Sequence, residues 1–173
     1  MPSMRQNVQT NQTIFSWSGE ELLLTTGDGQ VKILDYPSMA PLHTLNAHTS
    51  ACSTIDYSPN GDYIAIGGSD ALITLWDTTD WICQRSLTAI TGPVRSVGFS
   101  FDGSYVVGGS DEGTGLEIAH TATGEYVHKI ETNYPSPAVA WHPSRYVLAY
   151  GQHTPYGTTG EGLKIVGGVG GGL

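Results

Sequence analysis

The stretch from Gly68 to Asp77 reads Gly-Ser-Asp-Ala-Leu-Ile-Thr-Leu-Trp-Asp, and it decides the fold of this chain. Its Gly-Ser-Asp opening favours a tight turn, because these residues accept turn backbone conformations. Apolar Ile73 and Leu75 then flank Thr74, which is typical of a β-strand. The near-continuous apolar run from Tyr63 to Ile66 precedes the turn. The segment therefore predicts two buried strands joined by a hairpin.

The same pattern occurs four times along the chain. Four segments with alternating apolar residues end in an aromatic side chain, at Trp17, Tyr57, Phe99 and Trp141, with intervals of 40, 42 and 42 residues. A second set of strands begins at intervals of 42, 43 and 47 residues, at Val31, Ile73, Leu116 and Leu163. Two markers with a period of about 40–45 residues predict a β-propeller with four strands in each blade.

The repeat predicts an all-β fold and divides the chain into about four blades. The predicted blades are residues 13–46, 47–89, 90–132 and 133–167. Residues 1–12 are predicted to be a flexible N-terminal segment, and residues 168–173 a flexible glycine-rich tail. The fourth unit contains three predicted strands and lacks an outer strand.

The second unit carries the most specific motif. His48 precedes its first strand, Asp70 lies in the turn after its second strand, and Trp76 follows His48 by 28 residues. This arrangement resembles the WD-repeat family, in which such residues join in a buried hydrogen-bond network. The resemblance implies that His48, Asp70 and Trp76 hold the blade together. Ile66 stands where the family often has Ser or Thr, so we expect the fourth member of the network to be absent.

Weaker versions of the motif are expected in the neighbouring units. Asp28 and Asp111 occupy the same turn position, but Leu34 and Ala119 replace the tryptophan. The other tryptophans are expected to differ in role. Trp17 and Trp141 lie at strand positions, as Trp76 does, and are predicted to pack in the core. Trp81 lies in the loop after the third strand and is the candidate partner contact.

Charge and motif content argue against several function classes. The chain has 7 Lys and Arg against 16 Asp and Glu, a net charge of −9, which disfavours direct binding of nucleic acid. No apolar run approaches a membrane-spanning length. The six histidines show no zinc-binding spacing, and no glycine-rich segment forms a nucleotide fingerprint. We therefore expect no catalytic residue, no cofactor and no metal site. His48 and Asp70 could alternatively form a general base and its orienting acid.

Longer segments narrow the resemblance within the WD-repeat family. The stretches 46–48, 68–77, 93–100 and 139–143 resemble the family of WD-repeat subunits of the THO complex, and the similarity extends over about residues 13–167. The resemblance implies a nuclear, non-catalytic scaffold of the THO/TREX complex that acts in mRNA packaging and export. Its partners would be protein subunits of that complex, with RNA bound only indirectly, and with no membrane or small-molecule substrate. A ubiquitin-ligase substrate receptor, a chromatin adaptor and, less favoured, a propeller enzyme remain as alternatives.

The family resemblance also sets an expectation for the complete ring. Closed propellers of this family usually carry seven blades, so the four units are expected to be part of such a ring. About three further blades are expected on the N-terminal side. Taken alone, four blades are expected to expose two apolar blade faces and unpaired strand edges, which favour aggregation.

Overall fold

The computed structural model describes residues 5–154 and 162–167, which form four antiparallel sheets. Each sheet is one blade, and within each blade the strands lie side by side in chain order. Blades 1, 2 and 3 have four strands, and blade 4 has three among the described residues. This architecture confirms the predicted all-β, four-bladed propeller fragment.

The strand bounds follow the predicted repeat closely. Blade 1 contains β1 (Thr10–Phe15), β2 (Glu21–Thr26), β3 (Gln30–Asp35) and β4 (Pro41–Asn46). Blade 2 contains β5 (Cys52–Tyr57), β6 (Tyr63–Gly68), β7 (Ile73–Asp77) and β8 (Cys83–Leu87). Blade 3 contains β9 (Val94–Phe99), β10 (Tyr105–Ser110), β11 (Leu116–His120) and β12 (Tyr126–Ile130). Blade 4 contains β13 (Ala138–Trp141), β14 (Val147–Gly151) and β15 (Leu163–Gly167).

The structure can be compared with the predicted propeller boundary at the N-terminal end, but not with the predicted C-terminal tail. Strand β1 begins at Thr10, three residues before the boundary predicted at residue 13, because Thr10 and Gln12 pair with Thr26 and Thr25 of β2. The predicted flexible tail, residues 168–173, lies outside the described residues.

Strand register corrects the aromatic marker of blade 1. Phe15 pairs with Leu22 in the way that Tyr57 pairs with Ile64, Phe99 with Val106 and Trp141 with Leu148. Phe15 is therefore the true equivalent, and the aromatic positions 15, 57, 99 and 141 are separated by 42 residues each time. The assignment of Trp17 was wrong because a shift of two residues leaves the strand face unchanged, so alternation alone cannot detect it.

The hydrophobic core lies between the blades. Three clusters of buried side chains fill the three junctions between consecutive blades. At the first junction, Val31 and Ile33 of β3 pack against Ile55 of β5 and Ile66 of β6. Because each sheet buries both faces only when it has a neighbour on each side, the two outer faces of the four-blade stack have no such cover among the described residues.

Polar side chains of the innermost strands join each blade to the next. The Gln12 side chain of β1 accepts a hydrogen bond from the Ile55 backbone amide at 3.0 Å and donates to the Ile55 carbonyl at 3.1 Å. Asp56 of β5 accepts from the Phe99 amide of β9 at 3.0 Å. Burial raises the pKa of Asp56, against the opposing effect of that amide. Ser96 of β9 accepts from the Val139 amide of β13 at 3.1 Å.

An acidic turn links blades 3 and 4 at the surface. Asp102 in the β9–β10 turn accepts hydrogen bonds from the hydroxyls of Tyr146, Ser100 and Ser104, at 2.6, 2.7 and 2.7 Å. Partial burial alone would raise the pKa of Asp102, but these hydrogen bonds outweigh it and hold the pKa well below the ordinary value. The carboxylate therefore stays ionised and fixes the start of β14 to blade 3.

Candidate functional site

Blade 2 brings the three predicted network residues together. His48 lies in the connection between β4 and β5, Asp70 in the β6–β7 turn and Trp76 on β7. The His48 side chain is fully buried, and its Nδ1 atom lies 2.9 Å and 3.1 Å from the two carboxylate oxygens of Asp70. Asp70 also accepts a hydrogen bond from the Thr49 backbone amide at 3.3 Å.

Thr74 completes the network. Its hydroxyl lies 3.1 Å from His48 Nε2, and it accepts a hydrogen bond from the indole nitrogen of Trp76 at 2.9 Å. With Nδ1–H of His48 donating to Asp70, the Thr74 hydroxyl donates to Nε2, and a continuous chain runs from Trp76 to Asp70. We refer to His48, Asp70, Thr74 and Trp76 as the His48 network.

The expectation that the fourth member is absent was therefore wrong. Ile66 of β6 and Thr74 of β7 are direct cross-strand partners, so their side chains lie on the same face of blade 2. A hydroxyl on β7 can reach the imidazole as well as one on β6. The sequence signal was present, because Thr74 is two residues before Trp76 and therefore shares its strand face.

A glycine makes room for the imidazole. A Cβ atom at Gly68 would lie 2.4 Å from both Asp70 Oδ1 and His48 Nδ1. The backbone amides of Ala47 and His48 both donate to the carbonyl oxygen of Gly29, in the β2–β3 turn of blade 1, at 3.1 Å. His48 thus contacts blade 1 through its backbone and blade 2 through its side chain.

The chemistry available to His48 is limited by these contacts. Both ring nitrogens have partners within the blade, and the ring is closed off from solvent. A general base must reach a proton on the substrate within hydrogen-bond distance, and this imidazole faces only Asp70, Thr74 and the Ile66 carbonyl. The arrangement is that of a structural network that fixes the β6–β7 turn.

The equivalent aspartates in blades 1 and 3 have other partners. Asp28 accepts a hydrogen bond from the hydroxyl of Thr26, the last residue of β2, at 2.5 Å. Asp111 pairs with the partly exposed guanidinium of Arg95 at 2.7 Å. Neither turn contains a buried imidazole, in agreement with the weaker motifs there.

The burial of the tryptophans agrees only in part with what the sequence predicted. Trp17 was predicted to pack in the core, but it is 67% exposed and lies over Gly61 of the β5–β6 turn. Trp141 is half-buried against blade 3, as predicted. Trp81, the candidate partner contact, is half-buried, and its ring lies 6.0 Å from that of His43. Its role as a contact stays a prediction.

Other reactive groups in the described part of the chain are separated from one another. Cys52 is buried and Cys83 exposed, and both are free thiols. Burial raises the pKa of Cys52 to about 12, with smaller contributions from Asp70 and Asp28. Among residues 5–154 and 162–167, no cluster of three or more His, Cys, Asp or Glu could hold a metal ion. Within the same residues, no helix is long and apolar enough to span a membrane.

Comparison with known sequences identifies the repeat. The family described as WD domain, G-beta repeat, matches residues 39–77 and 81–114. Over 91% of its length the chain is 38% identical to THO complex subunit 3 of Arabidopsis thaliana. Over 92% it is 29% identical to WD repeat-containing protein AAC3 of Dictyostelium discoideum. The chain spans 50% and 34% of the lengths of these two relatives.

Solved structures agree on the fold. The β-propeller domain of Cps50 (Swd1) from Myceliophteria thermophila aligns with a TM-score of 0.76 at 19% identity, over 84% of this chain and 51% of that one. The structure of U3-55K aligns with a TM-score of 0.77 at 16% identity, over 86% of this chain and 47% of that one. The chain thus contains WD repeats, has a β-propeller fold, and is similar along nearly its whole length to a THO complex subunit.

Proposed function

We propose that this chain is a non-catalytic, protein-binding scaffold of a nuclear THO complex, acting in mRNA packaging and export. The observation that carries the proposal is the 38% identity to THO complex subunit 3 over 91% of the chain. This similarity covers all four blades, whereas the WD-repeat family model matches residues 39–77 and 81–114.

The geometry of blade 2 supports a scaffold over an enzyme. The most acid–base-like pair in the sequence, His48 and Asp70, is committed to the turn and to Thr74. Removing the imidazole from this role would leave the Asp70 carboxylate without its main partner. A rigid blade that presents loops at both ends of its strands is suited to binding other proteins.

The charge of the chain supports an indirect relation to RNA. With a net charge of −9, its average field repels a phosphate backbone. Two of the basic side chains, Arg95 and Lys129, are paired with Asp111 and Glu131. We therefore assign RNA contact to other subunits of the complex.

Trp81 is the proposed partner contact, and Trp17 is its natural control. Trp17 in the β1–β2 turn lies over Gly61 of the β5–β6 turn, and the Thr78 amide before Trp81 donates to Asp62 in that same turn at 3.1 Å. Both tryptophans therefore lie at one side of the propeller. A partner that docks there through Trp81 would use its indole as an aromatic anchor.

Affinity purification of the tagged chain from nuclear extract, with and without ribonuclease, tests the proposal. We expect THO subunits to be recovered in both cases, because the contacts are between proteins. Recovery instead with a ubiquitin ligase or a chromatin complex, or loss of THO subunits on ribonuclease treatment, would contradict it. Trp81→Ala should reduce the recovery and Trp17→Ala should not, with thermal melts separating loss of contact from loss of fold.

A further inference from the structure

The three blade junctions differ on the side of the propeller formed by the β1–β2, β5–β6 and β9–β10 turns. The equivalent residues Trp17, Pro59 and Phe101 each lie two positions after the aligned aromatic of the first strand. Trp17 lies over Gly61 of blade 2, and the centroid of the Phe101 ring lies 5.0 Å from that of Tyr146 in blade 4. Pro59 has no aromatic ring, and a groove remains between blades 2 and 3.

This groove, which we call the blade 2–3 groove, has a volume of about 290 Å³. Its lining comes from the β5–β6 turn, the β9–β10 turn and the end of β11, and it includes Asn60, Asp62, Asp102, Ser104 and Thr121. Blades 2 and 3 each pack against a neighbour on both faces, so the described chain itself sets the shape of the groove. Pockets for drug-sized ligands measure roughly 300–1,000 Å³, so this volume suits a single side chain better than a larger molecule.

The two carboxylates of the groove, Asp62 and Asp102, have no cationic partner. One oxygen of the exposed Asp62 accepts a hydrogen bond from the Asn60 side-chain amide at 2.6 Å, and its other oxygen accepts none among the described residues. Asp102 already accepts four hydrogen bonds, so it contributes a charge rather than a free acceptor. Neither carboxylate forms an ion pair within the described part of the chain.

Thr121 adds a polar group without a partner. It lines the groove and is 3% exposed, and its hydroxyl oxygen has no hydrogen bond within residues 5–154 and 162–167. Its equivalent in blade 2, Thr78, donates to the Gly61 carbonyl at 2.6 Å. Because buried polar groups are nearly always paired in folded proteins, the Thr121 hydroxyl indicates a missing polar partner at the groove.

The surface around the groove is also negative. Further carboxylates lie on the turns and strand ends of the same side: Glu20, Glu21, Asp35, Asp77, Asp80 and Glu125. The basic residues of this side, in the described part of the chain, are Arg145 in the β13–β14 turn and Arg85, whose guanidinium donates to the Ala122 carbonyl at 3.0 Å. An excess of negative charge attracts cationic partners and speeds their association.

We propose that the blade 2–3 groove binds a lysine or arginine side chain of a protein partner. Ammonium and guanidinium groups only donate hydrogen bonds, so the free oxygen of Asp62 and the Thr121 hydroxyl suit them as acceptors, and Asp102 adds an opposite charge. The groove opens on the same side as Trp81, because the Thr78 amide in the β7–β8 connection donates to the Asp62 carbonyl. The inference rests on the proposed role as a protein-binding scaffold, but not on which complex the partner belongs to.

An NMR titration of the full chain with N-acetyl-arginine amide and N-acetyl-lysine amide tests the proposal. We expect saturable shifts of the backbone amides of Ser104 and Thr121, and no such shifts with the neutral isostere N-acetyl-citrulline amide. Asp62→Asn should weaken the affinity about threefold, as for a partly exposed ion pair. Glu20→Gln is the matched control, since Glu20 is exposed at the equivalent turn position of blade 1 and the substitution removes the same charge.

Thr121→Val tests the hydroxyl separately. It should weaken binding without lowering the unfolding temperature of the free chain, whereas Thr78→Val should lower that temperature by removing the hydrogen bond to Gly61. Absence of saturable binding, equal shifts with the citrulline probe, equal weakening by Asp62→Asn and Glu20→Gln, or unchanged affinity of Thr121→Val would overturn the proposal. Saturable binding of the cationic probes without recovery of THO subunits from nuclear extract would support it and contradict the proposed function alone.

Discussion

In blade 1 the turn aspartate Asp28 is held by Thr26, two residues before it, whereas in blade 2 Asp70 is held by His48, 22 residues before it. Thr26 and Gly68 occupy the same position before the turn. In blade 1 the side chain at this position, that of Thr26, bonds the turn aspartate directly. In blade 2 the position is a glycine, which leaves room for the imidazole of His48 from the β4–β5 connection.

The comparison shows that one turn can be stabilised locally or through a long-range contact. The local contact of Thr26 fixes only its own hairpin. The His48 network also joins two blades, because the backbone amide of His48 donates to Gly29 while its ring holds Asp70. We therefore expect substitutions in the network to weaken the junction of blades 1 and 2 as well as the β6–β7 turn.

The largest effect is expected for Gly29→Ala, because Gly29 lies where the β2–β3 turn contacts the β4–β5 connection that carries His48. Its φ is +86°, and a Cβ atom there would lie 2.3 Å from the carbonyl oxygen of His48. The left-handed backbone costs alanine roughly 1–2 kcal/mol, and the steric clash should add roughly 1–3 kcal/mol. Gly19→Ala is the control, since Gly19 has φ +77° and open space. Urea unfolding at one protein concentration measures the unfolding free energy of both variants. If Gly29→Ala and Gly19→Ala lose the same amount, the contact of Gly29 with His48 is unimportant.

His48→Ala is expected to have the next largest effect. It leaves the mostly buried Asp70 carboxylate and the Thr74 hydroxyl without their partner, at a cost of roughly 1–3 kcal/mol. The matched change in blade 3, Arg95→Ala, removes a partly exposed ion pair and should cost less than about 1 kcal/mol. Urea unfolding measures both. An unchanged midpoint for His48→Ala would mean that the long-range contact adds no stability.

A smaller effect is expected at Thr74, which distinguishes the hydroxyl from the shape of the side chain. Thr74→Val keeps the volume but leaves the indole N–H of Trp76 and Nε2 of His48 unpaired, and should cost roughly 0.5–1.5 kcal/mol. Thr74→Ser keeps the hydroxyl and should unfold at a higher urea concentration than Thr74→Val. The reverse order would show that packing of the methyl group matters more than the hydrogen bonds.

The smallest effect to be measured is transient opening of the junction between blades 1 and 2, compared between the wild-type chain and His48→Ala. Cys52 is buried in the cluster between blades 1 and 2, and its pKa of about 12 leaves little thiolate near neutral pH. A thiol reagent should therefore label exposed Cys83 and spare Cys52. In His48→Ala, labelling of Cys52 should accelerate about tenfold for each 1.4 kcal/mol lost. Unchanged labelling of Cys52 despite lower stability would show that the network does not join the blades.

Much of the blade architecture could be predicted from local patterns. Alternating apolar residues and turns such as Asn60-Gly61 specify a strand and its hairpin without knowledge of the rest of the chain. The 42-residue spacing then places the hairpins in successive blades. His48, Asp70 and Trp76 were predictable as a set because each has a characteristic place relative to these strands.

Only the tertiary structure decided which atoms complete the network and which apolar residues are buried. Thr74 replaces Ile66 because the two face each other across β6 and β7, a relation that depends on register. Leu75 and Ile165 have the same local pattern, yet one is fully buried and the other 70% exposed. Local sequence determines which side of a strand is apolar, whereas burial depends on whether another blade lies against that side.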